Sequence, residues 1–339
     1  MSAGAKAGLI AELSRRSFVR RMSVVAAAGG LSARSLLASA LSESARSAAQ
    51  EGLFALLLGS VQDAGLPQAG CYSELCEAAR AEGAEPRFVT SLALVEPQAE
   101  RFYLVDASPD LTRQMDLIPG QAFRARSALR RPFDGIFLTH AHMGHYLGLA
   151  HLGREGLGTA PTPCYCTDRM ASFLENNGPW SLLVEEGRLV PQRLATNVWI
   201  RIDEHLEVMA LPVPHRQEYS DTVGFVFRGS ERQILYLPDI DRWEKMNPSI
   251  ESVVRQVDVA LLDGSFYTAA ELPGRSQEDI PHPLIPSTMD RLQSLSEETE
   301  IAFIHLNNTN RALMADGPEA LDVARRGFHL PRKGQRYAL

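Results

Sequence analysis

The sequence predicts one layered α/β domain running from about residue 53 to the C-terminus, and three observations predict it. Short apolar runs of strand length alternate with stretches of helical periodicity. No low-complexity linker, repeat or shift of composition divides them. Ionisable residues recur directly after the apolar runs, where a layered sheet holds side chains at fixed separation. A chain of 339 residues that is 45% hydrophobic and 22% charged is globular in composition and long enough for one large domain.

In order, the strand-like runs are LFALLLGS from Leu53, FVTSLALV from Phe88, RFYLVDAS from Arg101, FDGIFLTH from Phe133, LEVMALPV from Leu206, VGFVFRG from Val223, QILYLPD from Gln233, VDVALLDGS from Val257 and EIAFIHLNN from Glu300. Each is rich in branched and aromatic residues over a length that suits a buried strand. Helical spacing of apolar residues marks Ser73 to Glu82, Gly144 to His151, Asp168 to Asn176, Trp243 to Gln256, Pro286 to Ser294 and Pro318 to Arg326.

The first fifty residues differ from the rest. Lys6, Arg15, Arg16, Arg20, Arg21, Arg34 and Arg46 against Glu12 and Glu43 give this segment +5, so the remainder of a chain at −7 carries −12. An acidic domain of that kind repels phosphate backbones, which argues against a nucleic-acid partner. SRRSFVR, Ser14 to Arg20, matches the twin-arginine export signature of bacterial precursors, a motif read by the translocon that moves folded proteins. The apolar stretch after it is rich in Ala, Gly and Ser and interrupted by Arg34, too weak for a stable membrane span. Cleavage is expected after Ala49, which makes residues 1–49 a signal peptide, residues 50–339 the folded domain and the periplasm or exterior the destination. A basic disordered arm or an uncleaved anchor is the other reading of this segment.

Six strand ends carry the chemistry. Asp106, His140, Asp239, Asp263 and His305 each follow an apolar run, and His215 follows LEVMALPVP. In FLTHAHMGHYLGL, Phe137 to Leu149, His142 and His145 join His140 within six residues. Three neutral imidazoles gain nothing from such crowding unless they hold a metal. Imidazole nitrogen and carboxylate oxygen suit zinc, iron or manganese, and a ligand set with an open position admits a water whose pKa falls to roughly 7.

LTHAHMGHYLGL resembles the His-x-His-x-Asp-His signature of the metallo-β-lactamase superfamily, and Asp106, His140/His142/His145, His215, Asp239 and His305 resemble its five motifs in order. Within it, LLLGSVQDAGLPQAGC, VALLDGSFY and FIHLNNTN resemble the pyrroloquinoline quinone biosynthesis protein B family. The resemblance implies a four-layer αββα sandwich with one or two Zn2+ ions, or Fe2+, at one edge of the paired sheets. It implies that His140, His142 and His215 bind a first ion, that Asp239 bridges to a second held by His145 and His305, and that Asp106 and Asp263 stand behind the ligands. Asp239 would also hold the reacting water.

Gly144 departs from the signature, which has an aspartate there. Asp63, in the Gly-rich turn GSVQDAGLPQ, either supplies the missing donor or caps its own turn. His282, in DIPHPLIPSTMD, is read either as a proton-transfer residue over the site or as the start of a helix. Phe266 and Tyr267 either wall a pocket or belong to the core; His151, His205 and His329 read as ordinary histidines. The related family carries a Cys-x-Cys-x-x-Cys zinc knuckle where this chain has Cys71, Ser73 and Cys76, so a structural zinc competes with a disulfide. Cys164 and Cys166 share one face of a further strand, as core residues or as partners for Cys71 or Cys76.

Three functions stay open: a metallo-hydrolase acting on an ester, lactone, amide or phosphodiester of a small molecule; an iron-dependent oxidative step linked to quinone cofactor synthesis; and a periplasmic carrier with a degraded site. The export signal argues against a cytoplasmic biosynthetic step, and the intact histidine set argues against degradation.

Overall fold

Alternation along the strands sorts the core into three apolar layers. Strand β1 (Phe54–Gly59) is buried throughout, yet Phe54, Leu56 and Leu58 enter one cluster while Ala55 and Leu57 enter another. The computed structural model describes residues 52–119, 130–271, 274 and 280–339, and Gly52–Leu339 forms one compact unit. The leader read in residues 1–49 lies outside the described residues.

Strand β1 pairs antiparallel with β2 (Ser91–Glu96), which pairs antiparallel with β3 (Arg101–Val105). From β3 the sheet continues in parallel through β4 (Gly135–Phe137), β5 (Thr162–Cys166) and β6 (Leu189–Arg193). The second sheet contains β7 (Trp199–Arg201), β8 (Glu207–Pro212), β9 (Val223–Arg228), β10 (Gln233–Leu237), β11 (Val259–Asp263) and β12 (Glu300–Ile304), in the order β12-β11-β10-β9-β8-β7. Strand β13 (Arg336–Ala338) returns to the first sheet as an edge beside β1.

The sheets face one another across Leu57, Tyr103, Phe137, Phe225, Tyr236 and Ile304. On the outer face of the first sheet lie the helices Asp168–Asn176 and Trp180–Glu185, anchored through Met170, Leu174, Trp180 and Leu183. The helices Ile250–Val254, Ile285–Leu292 and Pro318–Arg325 cover the second through Val254, Met289 and Val323. The result is the four-layer αββα sandwich. Two pairings of opposite sense separate β1 from β3 and β8 from β10, so each pair runs the same way. The C-terminal ends of β1, β3 and β4, and those of β8, β10, β11 and β12, thus deliver their loops to one edge of each sheet.

Several expected elements change. The helix read over Trp243 to Gln256 is a 3-10 turn, Trp243–Lys245, and a helix, Ile250–Val254, since Pro248 interrupts the run. The stretch Gly144 to His151 is a helical turn, Met143–Tyr146, followed by 3-10 residues Leu147–Leu152. Strands β6, β7 and β13 escaped the sequence reading because all three are partly exposed sheet edges without a continuous apolar run. Cys164 and Cys166 lie in the outer core of the first sheet and Cys76 in that of the second, so of the two readings it is core packing, not pairing with Cys71 or Cys76, that holds.

Phe137 fills the centre between the sheets, stacked on Tyr165 at 4.7 Å and edge-on to Phe227 at 5.3 Å and Phe225 at 5.7 Å between centroids. Phe137→Ala is expected to destabilise the fold by about 3–5 kcal/mol in chemical denaturation, because it opens a cavity that the rigid sheets cannot close.

Candidate metal centre

A buried carboxylate sets the geometry of the site. Asp106 follows β3 in left-handed backbone conformation, φ 61°, and its amide donates to Phe137 O at 2.8 Å. Its side chain accepts from the backbone N–H and hydroxyl of Thr139, meets His145 Nδ1 at 2.7 Å and accepts from the Tyr236 hydroxyl at 3.2 Å. Residues from β3, from the loop after β4 and from β10 of the opposite sheet thus share one anion.

Around it the ligand atoms fall into two groups. His140 Nε2 and His215 Nε2 lie 2.9 and 3.0 Å from His142 Nδ1, and Asp239 Oδ2 lies 3.4 Å from His140 Nε2 and 3.1 Å from His215 Nε2. His145 Nε2 and His305 Nε2 lie 3.3 and 3.2 Å from Asp63 Oδ1, and Asp239 Oδ2 is 3.9 Å from His305 Nε2. Asp239 therefore stands between the groups. His305 shares the left-handed backbone of Asp106, φ 62°, at the end of β12.

The far nitrogen of every imidazole has a partner. His140 Nδ1 meets Thr139 Oγ1 at 3.0 Å, His142 Nε2 meets Glu218 at 3.2 Å, His215 Nδ1 meets Asp241 at 2.7 Å and His305 Nδ1 meets Ser265 Oγ at 3.1 Å. Such partners fix the tautomer and aim the other nitrogen at an ion. None of Thr139, Glu218, Asp241 and Ser265 was singled out from the sequence. Asp241 had a visible signal, as the second carboxylate of LPDID.

His282 and Asp263 form a neighbouring pair. His282 Nδ1 meets Asp263 Oδ2 at 2.7 Å and lies 3.5 Å from Asp239 Oδ1; Asp263 also accepts from the amides of Ile240 and Ser265. Phe266 packs edge-on to the His282 ring at 5.6 Å, whereas the Tyr267 hydroxyl donates to Asp322 at 2.8 Å.

Charge alternates through the cluster. Burial and the neighbouring His145 hold His140 well below the ordinary histidine range. Burial opposes the charge on His145, but Asp106 and Asp63 hold it well above that range. Against burial, Asp239 and Asp241 push His215 up to about 10. Burial opposes ionisation of Asp239 and Asp63, yet His215 and His305 for the first, and His145 and His305 for the second, keep both carboxyls well below the usual range. Without a metal, protons on imidazoles balance these anions; a bound cation takes their place.

Among the described residues, His145 Nε2 is one of eight buried side-chain atoms with no hydrogen-bond partner, and it lies 3.3 Å from Asp63 Oδ1 in the second donor group. All-nitrogen-and-oxygen donors with buried, pre-aimed imidazoles fit a divalent ion of the zinc or iron type. The four cysteines carry no disulfide; Cys71 Sγ and Cys76 Sγ both lie against the Asn308 amide, at 3.2 and 3.6 Å.

Comparison with known proteins gives the same picture. Residues 101–306 match the family described as Beta-lactamase superfamily domain. Coenzyme PQQ synthesis protein B of Methylorubrum extorquens (strain PA1) is 26% identical over 303 residues, spanning 82% of this chain and 97% of the relative. Its counterpart in Cupriavidus taiwanensis is 27% identical over 308 residues, spanning 84% and 98%. The crystal structure of Zn(2+)-bound PqqB from Methylobacterium extorquens superimposes with a TM-score of 0.71 at 24% identity, covering 84% of this chain and all (100%) of the other, which establishes a shared fold.

The supporting partners give a sharper test than the donors. Asp241→Ala removes the anchor of His215 Nδ1 from a partly exposed position. It is expected to weaken metal binding by about 10- to 100-fold in chelator competition while the melting temperature of metal-free protein stays nearly constant.

Proposed function

The chain belongs to the Beta-lactamase superfamily domain family, and from that premise we propose that it is a metal-dependent hydrolase related to PqqB, acting on an ester, lactone, amide or phosphodiester of a small molecule. The observation that carries this reading is the convergence of His140, His142, His145, His215 and His305 with Asp239, each imidazole supported at its far nitrogen. His140, His142, His215 and Asp239 would hold one ion, and His145 and His305 would hold a second beside Asp239. A metal held there would supply Lewis acidity towards the scissile group and lower the pKa of a water to roughly 7. Asp239 would accept a hydrogen bond from the reacting water and orient it. His282, which burial pushes down but Asp263 raises above the ordinary histidine range, stands 3.5 Å from Asp239 Oδ1, where it would pass a proton to a leaving group.

Hydrolysis of a panel containing p-nitrophenyl acetate, an aryl lactone and bis(p-nitrophenyl) phosphate is expected to vanish on chelation and return with Zn2+. His140→Ala with His142→Ala should lose at least one metal equivalent and fall by on the order of 10³-fold or more, since this pair acts with the ion as a unit. Wild-type metal content in the double variant would refute the assignment.

The relatives' name supports a second reading, a role in pyrroloquinoline quinone synthesis with an iron-dependent oxidative step. Oxygen consumption by iron-loaded protein, with no anaerobic turnover of any hydrolytic substrate, would favour it.

Export by the twin-arginine pathway belongs to the proposal too, resting on SRRSFVR. No helix among the described residues is long and apolar enough to cross a membrane. Arg15→Lys with Arg16→Lys is expected to retain the precursor in the cytoplasm, because the guanidinium pair is read as a unit. Unchanged periplasmic protein on cell fractionation would count against it.

A further inference from the structure

We infer that Asp63, from the loop after the first strand, is the carboxylate ligand of the second metal ion, and that Gly144 is glycine to leave room for it. The inference rests on the metal-centre reading above and assigns the donor which that reading leaves open.

Three observations carry it. The first is the position of the carboxylate: Asp63 Oδ1 lies 3.3 Å from His145 Nε2 and 3.2 Å from His305 Nε2, the nitrogens left over when Asp106 and Ser265 hold the opposite sides of those rings. A carboxylate oxygen and two imidazole nitrogens at this spacing form three corners of a metal site, with Asp239 within reach as a fourth.

The second is steric. A Cβ on Gly144 would run into the Asp63 carboxylate, 2.6 Å from its Cγ and 2.7 Å from its Cα, closer than real Cβ contacts come. Gly144 is in a helical turn, where it supplies no left-handed conformation; its φ is not among the positive values. The need for glycine at 144 therefore comes from the neighbouring loop. One residue gives up its side chain, and another from a distant loop fills the space with a carboxylate.

The third is the anchoring of the loop. Gln62 N donates to Leu306 O at 2.9 Å and Leu306 N to Ser60 O at 3.0 Å, so the backbone on either side of Asp63 and His305 is stitched together. Thr90 joins them: its amide donates to Val61 O, and its hydroxyl accepts from His305 N at 3.1 Å. The spacing of the two donors is set by main-chain hydrogen bonds before any ion arrives. Among the described residues the Asp63 carboxylate accepts no backbone N–H, so it does not cap the turn; the turn is closed by Gly65 N on Gln62 O at 2.8 Å.

Stripped protein reloaded with Zn2+ alone tests this through the metal-to-protein ratio and competition with a chromophoric chelator. Wild type is expected to take two equivalents. Asp63→Asn, which keeps the shape but not the charge, and Gly144→Ala, which displaces the carboxylate, should keep the first equivalent at wild-type affinity and weaken the second at least about tenfold. Two equivalents at wild-type affinities in Asp63→Asn would overturn the inference, as would a wild type that takes one equivalent which Asp63→Asn leaves untouched. A wild type that takes none would overturn the metal-centre reading itself. If Gly144→Ala fails to fold, Asp63→Asn decides alone, with circular dichroism of metal-free protein checking that its fold is intact.

Discussion

One buried carboxylate organises this molecule. Asp106 is fully buried, and removing an ionised group from solvent costs several kcal/mol unless donors surround it. The donors come from Thr139, His145 and Tyr236, which the fold must bring from a loop of one sheet and a strand of the other. Satisfying that charge fixes the approach of the sheets at this edge, the path of the loop after β4, and with it the direction of His140. Tyr236 is itself buried, and burial with the adjacent Asp106 charge keeps its phenol protonated as a donor far above the ordinary range.

Much of this architecture was legible in the sequence because apolar runs mark strands, and strands end where polarity begins. Asp106, His215, Asp239, Asp263 and His305 were found that way, and the crowding of His140, His142 and His145 pointed to a metal on chemical grounds. Thr139, Ser265, Glu218 and Asp241 were not found, since a hydroxyl or carboxylate that steadies an imidazole carries no spacing rule and is recruited by tertiary approach. Edge strands such as β7 hid for a related reason: half exposed, they lack the continuous apolar run that burial on both faces imposes on inner strands. The helix expected from Trp243 broke at Pro248, a local constraint that apolar periodicity alone had outweighed.

The cysteines show where spacing misleads. Cys71 and Cys76 flank Ser73, whose hydroxyl caps the helix Glu74–Arg80 by accepting from Cys76 N at 3.5 Å and also lies 3.2 Å from Cys71 Sγ. The residue in the middle of the cysteine pattern therefore has a structural task in helix initiation. Hydrogen bonding to Cys76 and Ser73 brings the Cys71 thiol down to about 7. Its contact with Asn308 places that thiol three residues of backbone from His305.

The stitching of Ser60 and Gln62 to Leu306 has a consequence in time. A ribosome makes Asp63 long before His305, 242 residues later, and the two meet only when β12, at the edge of the second sheet, docks on β11. Contacts so distant in sequence form late in folding. The complete centre is thus a mark of finished assembly: a truncated or partly folded chain can gather His140, His142 and His145 from one segment, but cannot bring Asp63 to His305. Metal capture at that pocket would distinguish a completed polypeptide from its precursors.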